Sequence, residues 1–415
     1  MPGLKGGGKN IMYGILTAVF LYIVAQLNSS AVYADLANCE PLDLENSMYR
    51  SISVATAVEL EDAVRGASPK TTVLVNPGHY KLNRQLNINV SDISIIGSTG
   101  NAEDVIIDGQ YKVGAPIAIF GQTNVTIANL SIKRAHFHNI HLQGQSDNFR
   151  LHNAKLIDSR EQLLKISRPK IKDERASNGK ISCSYFLLTD DGRKYIEDNP
   201  TPGHKCYTGG IDAHTTSGFM VTDSHFEDIY CTNGGLAEHA VHFWSQSQQT
   251  TILRNTIINC ARGIGFGLGR KRGHLDGVIR NNYIYANIKW YDTGIGLESA
   301  AHVLVEHNTV YSQRGILNSA IDSRFSGTRA TLKNNLIYPF TTLRQGAKIE
   351  ESGTVKARGS WFKSIEKHPG LLENHPEVNK FVEGKGVATK TNTDYFSNSR
   401  NKNIVDIGAA TVTPR

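Results

Sequence analysis

The chain has 415 residues, 40% hydrophobic and 20% charged, with 38 glycines, 12 prolines and a formal net charge of +7 at pH 7. That balance excludes a disordered chain, a collagen-like repeat and a protein that is membrane-embedded throughout. A modest basic excess suits an acidic partner, and the lack of a basic helical stripe or reader motif argues against nucleic acid.

Residues 1–34 carry Lys5 and Lys9, an apolar run from Ile11 to Leu27, and Ala31-Val32-Tyr33-Ala34 at the end. A basic start, an apolar middle and an A-x-A close predict a secretory signal cleaved after Ala34. The alternatives are a retained anchor, for which the apolar run is short, and a lipoprotein with Cys39 after Leu36-Ala37-Asn38. The expected mature chain is a periplasmic or secreted monomer with no stable membrane anchor. Residues 35–340 are assigned to one repeating domain and 341–415 to a capping segment.

Val58–Arg65 is a short amphipathic stretch that suits a helical cap. From about residue 70 the chain turns to short β-rich runs. Four copies begin with asparagine at Asn255, Asn282, Asn308 and Asn335, spaced by 27, 26 and 27 residues. A second track repeats in step: Ile140-His141-Leu142, Leu164-Lys165-Ile166, Ile211-Asp212-Ala213, Val241-His242-Phe243, Ile264-Gly265-Phe266, Ile295-Gly296-Leu297 and Ile321-Asp322-Ser323. Alternation of this kind marks half-buried strands, and a fixed period in the twenties marks a solenoid. The predicted fold is all-β, a right-handed parallel β-helix with an N-terminal helical cap and an irregular C-terminal cap. The repeated asparagines are expected to stack at turns. Residues 168–205 break the period and are expected to form an inserted loop. Of the five cysteines, Cys183 and Cys206 flank a polar segment and suggest a disulfide, Cys260 reads as a buried thiol, and the odd count leaves at least one unpaired.

The apolar positions of the second track fix its phase, so alternate residues point outward. One outward column runs His141, Lys165, Asp212, His242, Gly265, Gly296, Asp322; its neighbour runs Gln143, Ser167, His214, Trp244, Gly267, Glu298, Arg324. The glycines suggest a floor on which a chain-like ligand rests, and Trp244 suggests a platform for a sugar ring. The densest cluster joins Asp212, His214, Glu238, His239, His242 and Trp244. A carboxylate beside an imidazole can orient it as a general base or acid. The same groups could form a polar ladder only, and neighbouring His and Asp could hold a divalent metal. No cofactor is assigned.

These features resemble the secreted right-handed β-helix superfamily of pectate lyases, alginate lyases and mannuronan C5-epimerases, over about residues 50–340. The segment Tyr207-Thr208-Gly209-Gly210-Ile211-Asp212-Ala213-His214 is similar to the Tyr…Asp-Pro-His segment of the epimerases, with Ala213 in place of proline and Tyr207 five residues before Asp212. The resemblance implies a lyase or epimerase that removes the C5 proton of uronic acid residues in an acidic polysaccharide. His214 or His242 would act as base, oriented by Asp212. Arg324, Arg262 or Lys165 would neutralise the substrate carboxylate, and Tyr207 would donate a proton. Substrate contacts are assigned to Lys165, Trp244, Glu298, Asp322, Arg262, Glu238, His239, His141 and Gln143. Two alternatives stand beside this reading: an inverting glycoside hydrolase using Glu298 and Asp322, and a non-catalytic polysaccharide-binding scaffold.

Overall fold

The computed structural model describes Cys39, Pro41, Leu42 and residues 49–412. The expected signal segment lies outside the described residues. Among them, no helix is long and apolar enough to cross a membrane.

Three sheets of 16, 11 and 10 strands wind into a solenoid, each strand pairing in parallel with the equivalent strand of the next coil. The ten-stranded sheet comprises β1 (Leu86–Ile88), β2 (Ile117–Phe120), β3 (Ile140–Gln143), β4 (Gln162–Ile166), β5 (Gly209–His214), β6 (His239–Trp244), β7 (Arg262–Phe266), β8 (Thr293–Glu298), β9 (Ser319–Arg324) and β10 (Thr341–Arg344). Its inward column stacks Ile140, Leu164, Ile211, Val241, Ile264, Ile295 and Ile321 in register, all fully buried. Each such side chain contributes about 1.5–3 kcal/mol. The same interior alternation that stabilises the coil forces the intervening residues to the outer face.

The bend between the other two sheets carries the asparagine stack. Nδ2 of Asn255 donates to Oδ1 of Asn282, Asn282 to Asn308, and Asn308 to Asn335, each at 3.0 Å. All four are fully buried. The residue before each takes a left-handed backbone, with φ near 53° at Arg254 and 54° at Asn281, His307 and Asn334, which turns the chain by one corner per coil. In earlier coils serine fills the position: the amide of Ser224 donates to Oδ1 of Asn255, and the amide of Ser184 donates to Oγ of Ser224.

Helix α1 (Ala57–Arg65) packs on the first coils. Thr56 accepts from the Glu59 amide and Glu59 accepts from the Ala55 amide. This reciprocal cap suits its sequence, and Leu60 and Val64 go into the core.

Three regions differ from the sequence expectation. Within 168–205, strands Ala176–Ser177, Lys180–Ser182 and Tyr185–Leu187 join the regular ladder. The excursion is 188–208, which contains α2 (Asp190–Asp198). The solenoid also continues past residue 340, through β10, Lys348–Ser352 and Val355–Lys356. The segment after that does not close the end alone. Trp361, Val378, Tyr395 and Ile407 pack with Ile258, Tyr283, Tyr285 and Tyr311, so it lies along the outer face of the eleven-stranded sheet. Those outward tyrosines are the apolar surface that recruits it. Finally, Cys206 pairs with Cys231, not with Cys183, which is itself disulfide-bonded. Cys260 is a buried free thiol.

Candidate active site

Strand register places both outward columns as their phase requires. His141 pairs with Lys165, Lys165 with Asp212, Asp212 with His242, His242 with Gly265, Gly265 with Gly296, and Gly296 with Asp322. His214 pairs with Trp244, and Glu298 with Arg324. Adjacent coils sit ~4.8 Å apart, so neighbours in a column touch.

Asp212 is the hub. Its Oδ2 is ion-paired with Lys165 and lies 3.2 Å from His214 Nε2, and its Oδ1 accepts from Trp244 Nε1 at 2.5 Å. Lys165 Nζ stands 3.0 Å from the same His214 nitrogen. Burial alone would raise the Asp212 carboxyl, but His214, Lys165 and His242 outweigh it and hold the group well below the usual carboxylate range. Lys165 is 9% exposed and Asp212 3%. Lys165 is thus no solvated groove lysine but the third member of a buried ionic group. A buried ion pair is weak evidence for stability, since desolvation offsets attraction; this one lies under a histidine whose side chain is 20% exposed.

Tyr207 stands on the 188–208 excursion, directly after Cys206. The disulfide and the hydrogen bond from Asn233 Nδ2 to Lys205 O at 2.7 Å pin this loop to its neighbour. There the phenol senses the charges of Lys165, Asp212 and Glu238, and burial raises its pKa. His141 lies on the other side. Its Nε2 is 2.8 Å from Ser167 Oγ, and burial together with the Lys165 charge pulls it down to about 4. Gln143, half-buried, continues the outward face of β3 beside Phe120.

Two expected roles need correction. Trp244 does not offer a free face. The His214 ring lies 4.2 Å from it, His242 stacks 5.5 Å away, and the Arg272 guanidinium sits 4.7 Å from its centroid. Gly265 is not an open floor either: a Cβ there would stand 2.6 Å from His239 Nε2. The missing side chain makes room for that imidazole, which leads β6 and pairs with Arg262.

Beyond these lies a cleft of about 290 Å³, walled by Arg262, Arg272, Arg324 and Arg344 together with Asp292, Glu298 and Asp322. Arg262 pairs with Asp292 at 3.0 Å, Arg324 with Glu298 at 2.9 Å, and Arg344 forks onto Asp322 at 2.9 and 2.6 Å. Arg324 is four coils from Asp212, about 19 Å at ~4.8 Å per coil. It therefore cannot neutralise a group held at His214, and belongs with Glu298 and Asp322 at the distal end. Sequence reasoning missed Arg272, Arg344 and Asp292. A signal existed for Arg272, in the basic run Arg270-Lys271-Arg272 between Gly269 and Gly273.

Between the two groups, Glu238, His239 and His242 converge, with one donor atom from each lying within 4.8 Å of the others. His242 Nε2 is 3.1 Å from Gly267 O, and its Nδ1 stands 3.7 Å from Asp212 Oδ1 and 3.9 Å from Glu238 Oε2. Burial keeps both imidazoles below their ordinary pKa.

A family model described as the right handed beta helix region matches residues 209–400. Among solved structures, pectate lyase Pel9A is 12% identical, covers 88% of this chain and 97% of its own, and superposes with a TM-score of 0.62. The alginate lyase from Paenibacillus sp. str. FPU-7 is 14% identical over 72% of this chain and 99% of its own, with a TM-score of 0.44. The GH136 lacto-N-biosidase from Eubacterium ramulus is 13% identical over 74% and 67%, with a TM-score of 0.48. No curated protein matches by sequence. Coil by coil register, family match and superposition agree: the chain folds as a right-handed parallel β-helix, the fold it shares with pectate lyase Pel9A.

Proposed function

We propose that the chain is an exported enzyme acting on an acidic polysaccharide, and that it removes the C5 proton of uronic acid residues as a lyase or C5-epimerase. One observation carries this reading: a single histidine nitrogen, His214 Nε2, lies between an ammonium donor and a carboxylate acceptor, at 3.0 Å from Lys165 and 3.2 Å from Asp212. Before reaction the nitrogen's lone pair faces the ammonium. A substrate carboxylate would draw Lys165 away and free that lone pair. Once His214 has taken the C5 proton, the new N–H has Asp212 as its acceptor. Both protonation states are thus provided for, as a general base requires. Lys165 would neutralise charge that builds on the substrate carboxylate. Tyr207, its pKa raised by burial, would keep its proton at neutral pH and deliver it to the departing oxygen or to the opposite face of C5. In elimination, the electrons of the broken C5–H bond form the C4=C5 double bond as the C4–O bond breaks.

The cleft arginines would engage carboxylates of further sugars, as the basic wall suggests. The solved structures of like fold include a pectate lyase and an alginate lyase by name, which accords with an acidic chain as substrate. Disulfide bonding accords with an oxidising, extracytoplasmic compartment. The hydrolase alternative is weaker, because Asp322 gives both oxygens to the Arg344 guanidinium, and Glu298 gives one to Arg324 and the other to the Gly269 amide. The test is incubation of the chain, as a monomer, with a panel of uronate polymers. Near-ultraviolet absorbance rises with elimination, sugar-proton spectra change without absorbance on epimerisation, and saturated reducing ends mean hydrolysis. Binding with no change in the polymer would leave only the scaffold reading.

A further inference from the structure

We infer that Glu238, His239 and His242 form a site for one divalent transition-metal ion of the zinc class. Among the described residues this is where a carboxylate and two imidazoles bring donor atoms within 4.8 Å of one another. Two features of the histidines point to a cation. The first is orientation. His242 Nε2 lies 3.1 Å from the Gly267 carbonyl, which can only accept, so that nitrogen carries the hydrogen. Nδ1 is then a lone pair, and its polar neighbours are carboxylate oxygens, Asp212 Oδ1 at 3.7 Å and Glu238 Oε2 at 3.9 Å. Asp212 Oδ1 has Trp244 Nε1 as its donor, so the lone pair of Nδ1 and the Glu238 oxygen are left facing each other. A carbonyl that fixes one ring nitrogen while the other faces a metal is the usual support for a histidine ligand.

The second is lack of partners. Nδ1 of His239 and Nδ1 of His242 are both buried without a hydrogen bond, in residues 7% and 1% exposed. Buried polar atoms are normally satisfied, so two orphans side by side call for an occupant. Ligands ~2.1 Å from a tetrahedral ion stand roughly 3.4 Å apart, so the 3.9 Å separation of His242 Nδ1 and Glu238 Oε2 needs only a small contraction. Imidazole nitrogens select zinc-like ions over calcium or magnesium, which prefer all-oxygen sets. Asp212 is already engaged by Lys165 and Trp244 and stays a neighbour rather than a ligand. The glutamate side chain is 26% exposed, which leaves a route for entry and an open coordination position.

This inference is independent of the proposed activity, because it is read without polysaccharide. Untagged full-length chain, stripped with chelator, is titrated with Zn²⁺ by calorimetry and with Co²⁺ by visible absorbance. One equivalent per chain is expected, with the intense visible bands of tetrahedral Co²⁺ and no competition from excess Ca²⁺ or Mg²⁺. Glu238→Gln, His239→Ala and His242→Ala should each weaken Zn²⁺ binding by at least ~10–100-fold, since loss of even a group that supports a ligand has that effect. No stoichiometric binding by the wild-type chain overturns the inference. Binding unchanged in Glu238→Gln and His239→Ala overturns it too, by placing the metal elsewhere. Should His242→Ala fail to fold, the wild-type titration and the partly exposed Glu238 variant still decide.

Discussion

Two polar stacks run along this solenoid, and they are built alike. At one corner Asn255, Asn282, Asn308 and Asn335 stack coil on coil; on the ten-stranded sheet His141, Lys165, Asp212 and His242 do the same. The first repeats one residue, and the amides of Asn255, Asn282 and Asn308 each donate to main-chain carbonyls as well as to the next amide. The second changes chemistry at every coil, buries an ion pair and leaves one imidazole nitrogen, His242 Nδ1, orphaned. Uniform stacking with complete satisfaction serves the fold. Heterogeneous stacking with unmet valence has a cost in stability that the proposed active surface would explain.

If that contrast holds, damage to the two stacks should separate cleanly. The largest effect is expected at the site column. His214→Ala should lower turnover of a uronate polymer by ~10²–10⁴-fold while the melting temperature moves by only a few degrees, read by steady-state kinetics and calorimetry. Asn282→Ala should do the reverse. It strands the Asn255 amide groups and the carbonyls of Ile252 and Arg280, so about 4 kcal/mol of stability should go, with turnover per folded molecule unchanged.

Acid separates the stacks a third way, since amides do not titrate. Burial, with the Lys165 charge, holds His141 of the site column down at about 4, and burial holds the adjoining His138, whose ring lies 5.0 Å away, down at about 3, against an ordinary value near 6.5. Below ~6.5 the unfolded chain takes up protons that these folded residues refuse, so stability falls as pH drops from there toward the folded values and is flat above. A loss of about 4 kcal/mol between pH 8 and pH 5, about 2 from each imidazole, is expected from denaturant titrations. The smallest effect is Arg324→Ala. It breaks a partly exposed pair with Glu298, so stability should change by ~0–1 kcal/mol and KM should rise only a few-fold.

How much of this was legible follows from the same contrast. The asparagine stack announces itself by repetition at 26–27 residues, and only in the later coils, because serines 184 and 224 take the position earlier. The site column was legible through its neighbours: core alternation at Ile211 and Ala213 fixes where Asp212 points. What non-periodic chain does was hidden. The step from Lys165 to Asp212 is 47 residues, yet it is one coil plus a helix and a loop. The place of Tyr207 depends on Cys206 finding Cys231. The fate of Trp244 depends on Arg272, which arrives from a turn. The packing of 357–412 depends on outward tyrosines whose exposure no local pattern reveals.

The proposed chemistry turns on one bond, the C5–H of a uronic acid residue. The direct measurement is the proton spectrum of a uronate polymer incubated with the chain in D₂O. Loss of the C5 proton signal is expected, with either a new olefinic C4 proton or deuterium at C5. Retention of the C5 proton in a polymer that is nevertheless cut to saturated ends would contradict it.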